Sequence, residues 1–122
     1  MPLNVVGQEL GNVLTYLARR QEVIASNIAN ADTPGYRTLD LAPPHERQTG
    51  FSQIFRESLS QDTTGRAEEA PGLTVRNDGN NVSMDREARL LSENTLKFNL
   101  TAQMLRGELK SIRSAIEEGR TA

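Results

Sequence analysis

The chain has 122 residues, with 14 basic and 16 acidic side chains, no Cys, no Trp, two Tyr and three Phe. That length admits one small domain, and so few aromatics argue against a thick globular core and for helix seams of Leu, Ile and Val. A net charge of −2 with both signs interspersed leaves no basic footprint for nucleic acid. Without Cys there is neither a disulfide framework nor a thiolate metal site.

The start, Met1-Pro2-Leu3-Asn4-Val5-Val6-Gly7-Gln8-Glu9, has no basic n-region and no unbroken apolar core. A conventional signal peptide is not expected, and no apolar run approaches the ~20 residues of a membrane span. If the protein leaves the cytoplasm, it does so by a route that needs no cleaved leader.

From residue 4 to 31 a helix is expected, on a heptad line through Leu3, Leu10, Leu17, Ile24 and Ala31 with Val6 and Val13 as companions. Leu14 and Ile28 widen this stripe, while Arg20 and Asn27 occupy later companion positions. Polar residues in a seam are costly but fix register; the plainer reading is that Asn27 and Asn30 only end the helix. Thr33-Pro34-Gly35-Tyr36 then has Pro and Gly at the central positions of a type II turn, because Pro presets the first φ and Gly permits a positive second φ.

Residues 32–83 hold four of the five prolines and five of the nine glycines, and read as an irregular linker that orders on contact. Within it, Phe51, Ile54, Phe55 and Leu59 fall on one face of a short amphipathic helix. A turn at Pro71-Gly72 and a strand-like Leu73-Thr74-Val75 follow.

A second long helix is expected over residues 84–118, capped at Ser83 or Asp85 and stopped at Gly119. Met84, Leu91, Phe98, Leu105 and Ile112 repeat every seven residues, as do Ala88, Thr95, Ala102, Leu109 and Ile116. At ~1.5 Å per residue this helix is roughly 50 Å long, against roughly 40 Å for the first. Asp85/Arg89, Glu93/Lys97 and Arg113/Glu117 are supporting i,i+4 pairs. The fold class is therefore all-α, two long terminal helices paired as an antiparallel coiled coil. The pair's seam is assigned to Leu3, Val6, Leu10, Val13, Leu17 and Ile24 facing Leu91, Phe98, Leu105, Leu109, Ile112 and Ile116. Leu90, Leu96, Leu100 and Met104 form a second stripe away from that seam. A helix apolar on two faces wants more than one neighbour, so the chain is expected to fold fully only among other chains. Gly7 and Gly11 lie within the first helical pattern and Gly107 within the second, where it costs about 1 kcal/mol against Ala and suits close helix approach.

Catalytic chemistry has no foothold. His45, the single histidine, sits in Pro43-Pro44-His45-Glu46-Arg47 with no partner for a triad or metal site, and no glycine-rich phosphate loop occurs. No catalytic, cofactor-binding or metal-ligating residues are identified, and an enzyme is not expected. A cytoplasmic coiled-coil adaptor or secretion chaperone is compatible with composition alone.

Ser26-Asn27-Ile28-Ala29-Asn30-Ala31-Asp32-Thr33-Pro34-Gly35-Tyr36 resembles the N-terminal signature of the axial proteins of the bacterial flagellum, the rod, hook and hook-associated proteins. Two further stretches resemble the proximal rod family, FlgB, within that group. They are Arg19-Arg20-Gln21-Glu22-Val23-Ile24-Ala25, and Asp78-Gly79-Asn80-Asn81-Val82-Ser83-Met84-Asp85-Arg86-Glu87 followed by Glu93-Asn94-Thr95-Leu96-Lys97-Phe98. The C-terminal Ala-Gln-Arg-Ala-Tyr-Glu-Ala-Asn run of other rod families is missing.

The resemblance implies a structural subunit of the basal-body rod, whose terminal helices pair, polymerise and line a hollow drive shaft. Its implied partners are copies of itself, other rod proteins, the adaptor joining rod to membrane ring, that ring, and the flagellar type III export gate. Nucleic acid and membrane insertion are not implied. The implied place is the periplasmic side of the basal body, reached without a cleaved signal peptide. Phe51-Ser52-Gln53-Ile54-Phe55 resembles the short Phe-x-x-x-apolar motif read by the gate, with Phe51 and Phe55 as its anchors; an amphipathic helix buried in the assembly is the other reading.

Overall fold

The computed structural model describes residues 2–42 and 65–121. His45 and the Phe51–Leu59 segment, including Phe51 and Phe55, lie outside the described residues, and Leu3 is described only as part of its helix.

Helix α1 spans Pro2–Ala29 and helix α2 spans Met84–Thr121. Pro2 suits the first helical position because its missing N–H would have no intrahelical partner there. Ser83 begins α2: its Oγ accepts from the Arg86 N–H at 3.4 Å, and Asp85 and Glu87 add negative charge to the first turn. The helix continues through Gly119, which does not adopt a positive φ, so the stop expected there is absent. The helices run antiparallel, since Asn27 meets Glu87 while Leu17 and Gln21 meet Asn94. At ~1.5 Å per residue α2 exceeds α1 by about 15 Å. Its last turns therefore project past the start of α1.

The linker is more ordered than its composition suggests. Strand β1, Leu39–Ala42, pairs antiparallel with strand β2, Arg66–Glu69, in the register Leu39↔Glu69 to Ala42↔Arg66. Leu73-Thr74-Val75, read as strand-like, is not a strand, and Val75 is exposed. β2 was invisible to pattern reading because Arg-Ala-Glu-Glu has poor strand propensity. What holds β1 is tertiary: β2 lies on one edge, and the Asn27 amide bonds both the N–H and C=O of Leu39.

Five apolar side chains are buried among the described residues, Leu17, Ile24, Leu41, Ala70 and Val82, and six polar ones join them: Asn27, Thr38, Asn80, Asn81, Glu87 and Asn94. Glu87 and Asn94 are seven residues apart, with Thr101 and Glu108 half-buried on the same heptad line. A polar line on α2 thus faces α1, with apolar flanks on either side.

Candidate functional site

The buried polar groups other than Asn94 converge where α1 ends. Asn27, 1 % exposed, uses its whole hydrogen-bonding capacity. Its Nδ2 donates to the Leu39 carbonyl at 2.8 Å and to Glu87 Oε2 at 3.1 Å. Its Oδ1 accepts from the Leu39 N–H and the Tyr36 hydroxyl, both at 3.0 Å. One side chain therefore ties together α1, the turn after it, β1 and α2. Asn27 does not end the helix; it sits inside it and fixes what the helix meets.

Beyond it, Thr33-Pro34-Gly35-Tyr36 closes with Tyr36 N–H to the Thr33 carbonyl at 3.2 Å, and Gly35 has φ +76°. That is the type II geometry expected from Pro-Gly. A second turn packs on the first. Gly79 N–H bonds the Arg76 carbonyl at 2.9 Å, Arg76 N–H bonds the Asn80 carbonyl at 2.8 Å, and Gly35 N–H donates across to the Asp78 carbonyl at 2.9 Å.

The last carbonyls of a helix have no intrahelical partner. Here Asn80 Nδ2 donates to the carbonyls of Asn30 and Thr33, each at 2.9 Å, and Arg76 donates to that of Ala31. Asn80 Oδ1 accepts from the Val82 N–H at 2.8 Å, and Asn81 Oδ1 from the Thr38 N–H at 2.6 Å. The end of α1 is capped from residues 76–81, nearly fifty positions along the chain. This explains why the Asp78-Gly79-Asn80-Asn81 stretch accompanies the Asn27–Tyr36 stretch.

Glu87 is fully buried, and its charge is met rather than hidden. Oε1 accepts from Arg86 Nη1 at 2.6 Å, and Arg86 Nη2 in turn donates to both carboxylate oxygens of Asp40 at 2.6 Å. Burial works against the Arg86 guanidinium. The hydrogen bonds and charges of Asp40 and Glu87 outweigh it and raise its pKa above the ordinary value, so the cation persists at every working pH. Beside this pair a groove of about 580 Å³ runs beneath the sheet, with Tyr16, Arg20, Glu68, Glu69 and Lys97 among its walls. Among the described residues no group of three or more His, Cys, Asp or Glu could hold a metal ion.

The sequence-assigned residues divide. Of the signature, Asn27 is buried, Ile28, Asn30, Ala31 and Tyr36 are half-buried, and Ser26, Ala29, Asp32, Thr33, Pro34 and Gly35 are exposed. Of the seam set, Leu17 and Ile24 are buried and Leu10, Leu91, Leu105 and Ile112 half-buried. Val6, Val13, Phe98, Leu109 and Ile116 keep between 37 and 60 % of their surface in solvent. In the second stripe Leu90 is half-buried, whereas Leu96, Leu100 and Met104 are 52 to 62 % exposed. Sequence reading did not single out Glu87, Asn94 and Asn80. Their signal was present in the seven-residue spacing of Glu87 and Asn94 inside an apolar pattern.

Residues 12–37, the second half of α1 and the turn, match the family model described as flagella basal body rod protein. The flagellar basal body rod protein FlgB of Escherichia coli K12 is 32 % identical over 87 % of this chain and 88 % of its own length. The FlgB proteins of Yersinia enterocolitica and Salmonella typhimurium are equally similar, 32 % identical over 87 % of this chain. The chain belongs to the FlgB family of flagellar basal body rod proteins. FlgB proteins are structural subunits of the rod rather than enzymes, and the Asn27 and Asn80 network is the internal clamp of such a subunit. Family membership also removes support for a cytoplasmic adaptor or chaperone.

Proposed function

We propose that this rod subunit polymerises through the flanks of its helix pair, with Leu96, Leu100 and Met104 docking on neighbouring copies of itself and on other rod proteins. The observation that carries this reading is the exposure of these three side chains, 52 to 62 %, in a chain whose own interior is largely polar. A contiguous apolar stripe left in water marks an interaction surface. Leu109 and Ile116, near the projecting end of α2, extend the apolar surface on the opposite flank. The same reading places the subunit on the periplasmic side of the basal body, delivered by the type III export gate without a cleaved leader and seated against the adaptor and the membrane ring. No helix among the described residues is long and apolar enough to cross a membrane.

The test is Leu100→Asp, which places a charge in the stripe without touching the Asn27 clamp. Rods are lost from purified basal bodies while the variant is still found in the exported fraction. Normal swimming by that strain would count against docking through this stripe.

A further inference from the structure

Among the described residues, four helical glycines, Gly7, Gly11, Gly107 and, near the end of α2, Gly119, have open space where a side chain would stand. A Cβ built on Gly7, Gly11 or Gly107 meets nothing within 4 Å, and none of the three has a positive φ. Each costs its helix about 1 kcal/mol relative to Ala. Helical periodicity places Gly7 and Gly11 with Ala18 and Ala25 along one flank of α1. It places Gly107 on the outer face of α2, in line with Leu96 and Leu100 and a turn beyond Met104. Small residues in such rows let another helix backbone approach closely.

A second observation lies on the same flank of α1. A hollow of about 290 Å³, lined by Ala18, Gln21, Asn94, Thr95 and Phe98, opens between the helices. Asn94 is 1 % exposed. Its Nδ2 donates to the Leu17 carbonyl at 2.9 Å and to Gln21 Oε1 at 2.7 Å, but its Oδ1 is buried with no partner. Buried acceptors are normally satisfied, and among the described residues this one, on the wall of the hollow, has no donor.

We propose that the Gly7–Gly11–Ala18 flank, with Asn94 in its floor, is the seat for the Leu96–Leu100–Met104 ridge of a second copy of this chain. The ridge is an i, i+4, i+8 row, the shape that enters a groove on a facing helix. Exposed Asn99 and Gln103 border it and carry the amide donors that Asn94 Oδ1 lacks. Charge does not oppose the contact, since Lys97 is the single charged residue from Asn94 to Met104 and the seat residues are neutral. Seat and ridge are different faces of one molecule, so the contact is head-to-tail and repeats into a ring or filament instead of closing as a twofold dimer. This rests on the rod-subunit reading and names which surface receives the ridge.

The chain has no Cys, so engineered pairs are unambiguous. Two differently tagged copies, Ala18→Cys and Leu100→Cys, are expressed together, and basal bodies are purified and oxidised. The expected result is a reductant-sensitive product carrying both tags, with none from either variant alone. If Leu100→Cys fails to assemble, Gln103→Cys on the same border replaces it. Assembled rods containing both tags but no joint product would overturn the pairing and leave the rod reading standing. Absence of both tags from otherwise complete basal bodies would overturn the rod reading and the pairing with it.

Discussion

The backbone of Gly79 lies directly on that of Gly35: a Cβ built on Gly79 would sit 3.2 Å from the Gly35 Cα. Two turns 44 positions apart in the chain (Gly79 minus Gly35) thus meet backbone to backbone, joined by the Gly35 N–H to Asp78 carbonyl bond at 2.9 Å. Gly79 has φ +85°, a conformation that only glycine adopts without strain.

Gly79→Ala meets both penalties at once, positive φ and a contact with unyielding backbone. A loss of roughly 1–3 kcal/mol is expected. It is checked by urea titration of the purified chain followed by circular dichroism at the helix band. Gly72→Ala also has a positive φ, but nothing lies within 4 Å of its added Cβ, so its loss should be the smaller. Equal effects would show that contact with Gly35 adds nothing.

Asn27→Asp should destabilise more than Asn27→Ala. The carboxylate retains both acceptor bonds, from Leu39 and Tyr36. It loses the donor to Leu39 and places a negative charge against Glu87, whose Oε2 lies 3.1 Å from Asn27 Nδ2. Two buried carboxylates in contact favour protonation, so the introduced group titrates above its unfolded value. The sign follows: stability of Asn27→Asp is lowest above that raised pKa and recovers as pH falls through it, whereas Asn27→Ala shows no such recovery. Parallel urea titrations across the acidic range decide it.

Among the described residues, Arg86→Ala leaves the fully buried Glu87 carboxylate with the Asn27 amide alone. Removing one partner of a buried pair costs about 3–5 kcal/mol, because the remaining charge is uncompensated. Adding Glu87→Gln removes that charge, so the double variant should be more stable than Arg86→Ala alone. A double-mutant cycle from denaturation midpoints reads the coupling. Additive losses would mean that Arg86 acts mainly through Asp40, which it holds at 2.6 Å.

Asn80→Ala uncaps α1 by removing the donors to the Asn30 and Thr33 carbonyls. A loss of about 1 kcal/mol is expected, because both carbonyls are part-buried and each keeps a backbone donor, the Thr33 N–H and the Tyr36 N–H. Hydrogen exchange should locate it, with amide protection falling in residues 26–36 and not in the far half of α2. For contrast, Arg113→Ala breaks an exposed pair with Glu117 at 3.3 Å and should shift stability by less than about 1 kcal/mol.

The local features were legible in the chain because their causes are local. Seven-residue spacing declares helices at Leu10, Leu17 and Ile24 and again at Leu91, Leu105 and Ile112, and Pro34-Gly35 declares its own turn. The run from Ser26 to Tyr36 was enough to point to the flagellar axial proteins. What periodicity cannot rank is one polar residue against another. Asn27, Glu87 and Asn94 look like interruptions of apolar lines, yet they occupy the interior, because each meets partners far away in the chain. The strand at Leu39 exists because Asn27 bonds its backbone, and the end of α1 is closed by Asn80, fifty residues later. A hydrogen bond between distant residues leaves no period in the sequence. Helices and turns were therefore written locally, while the polar clamp and the faces left open for neighbours were decided only when the chain folded back on itself.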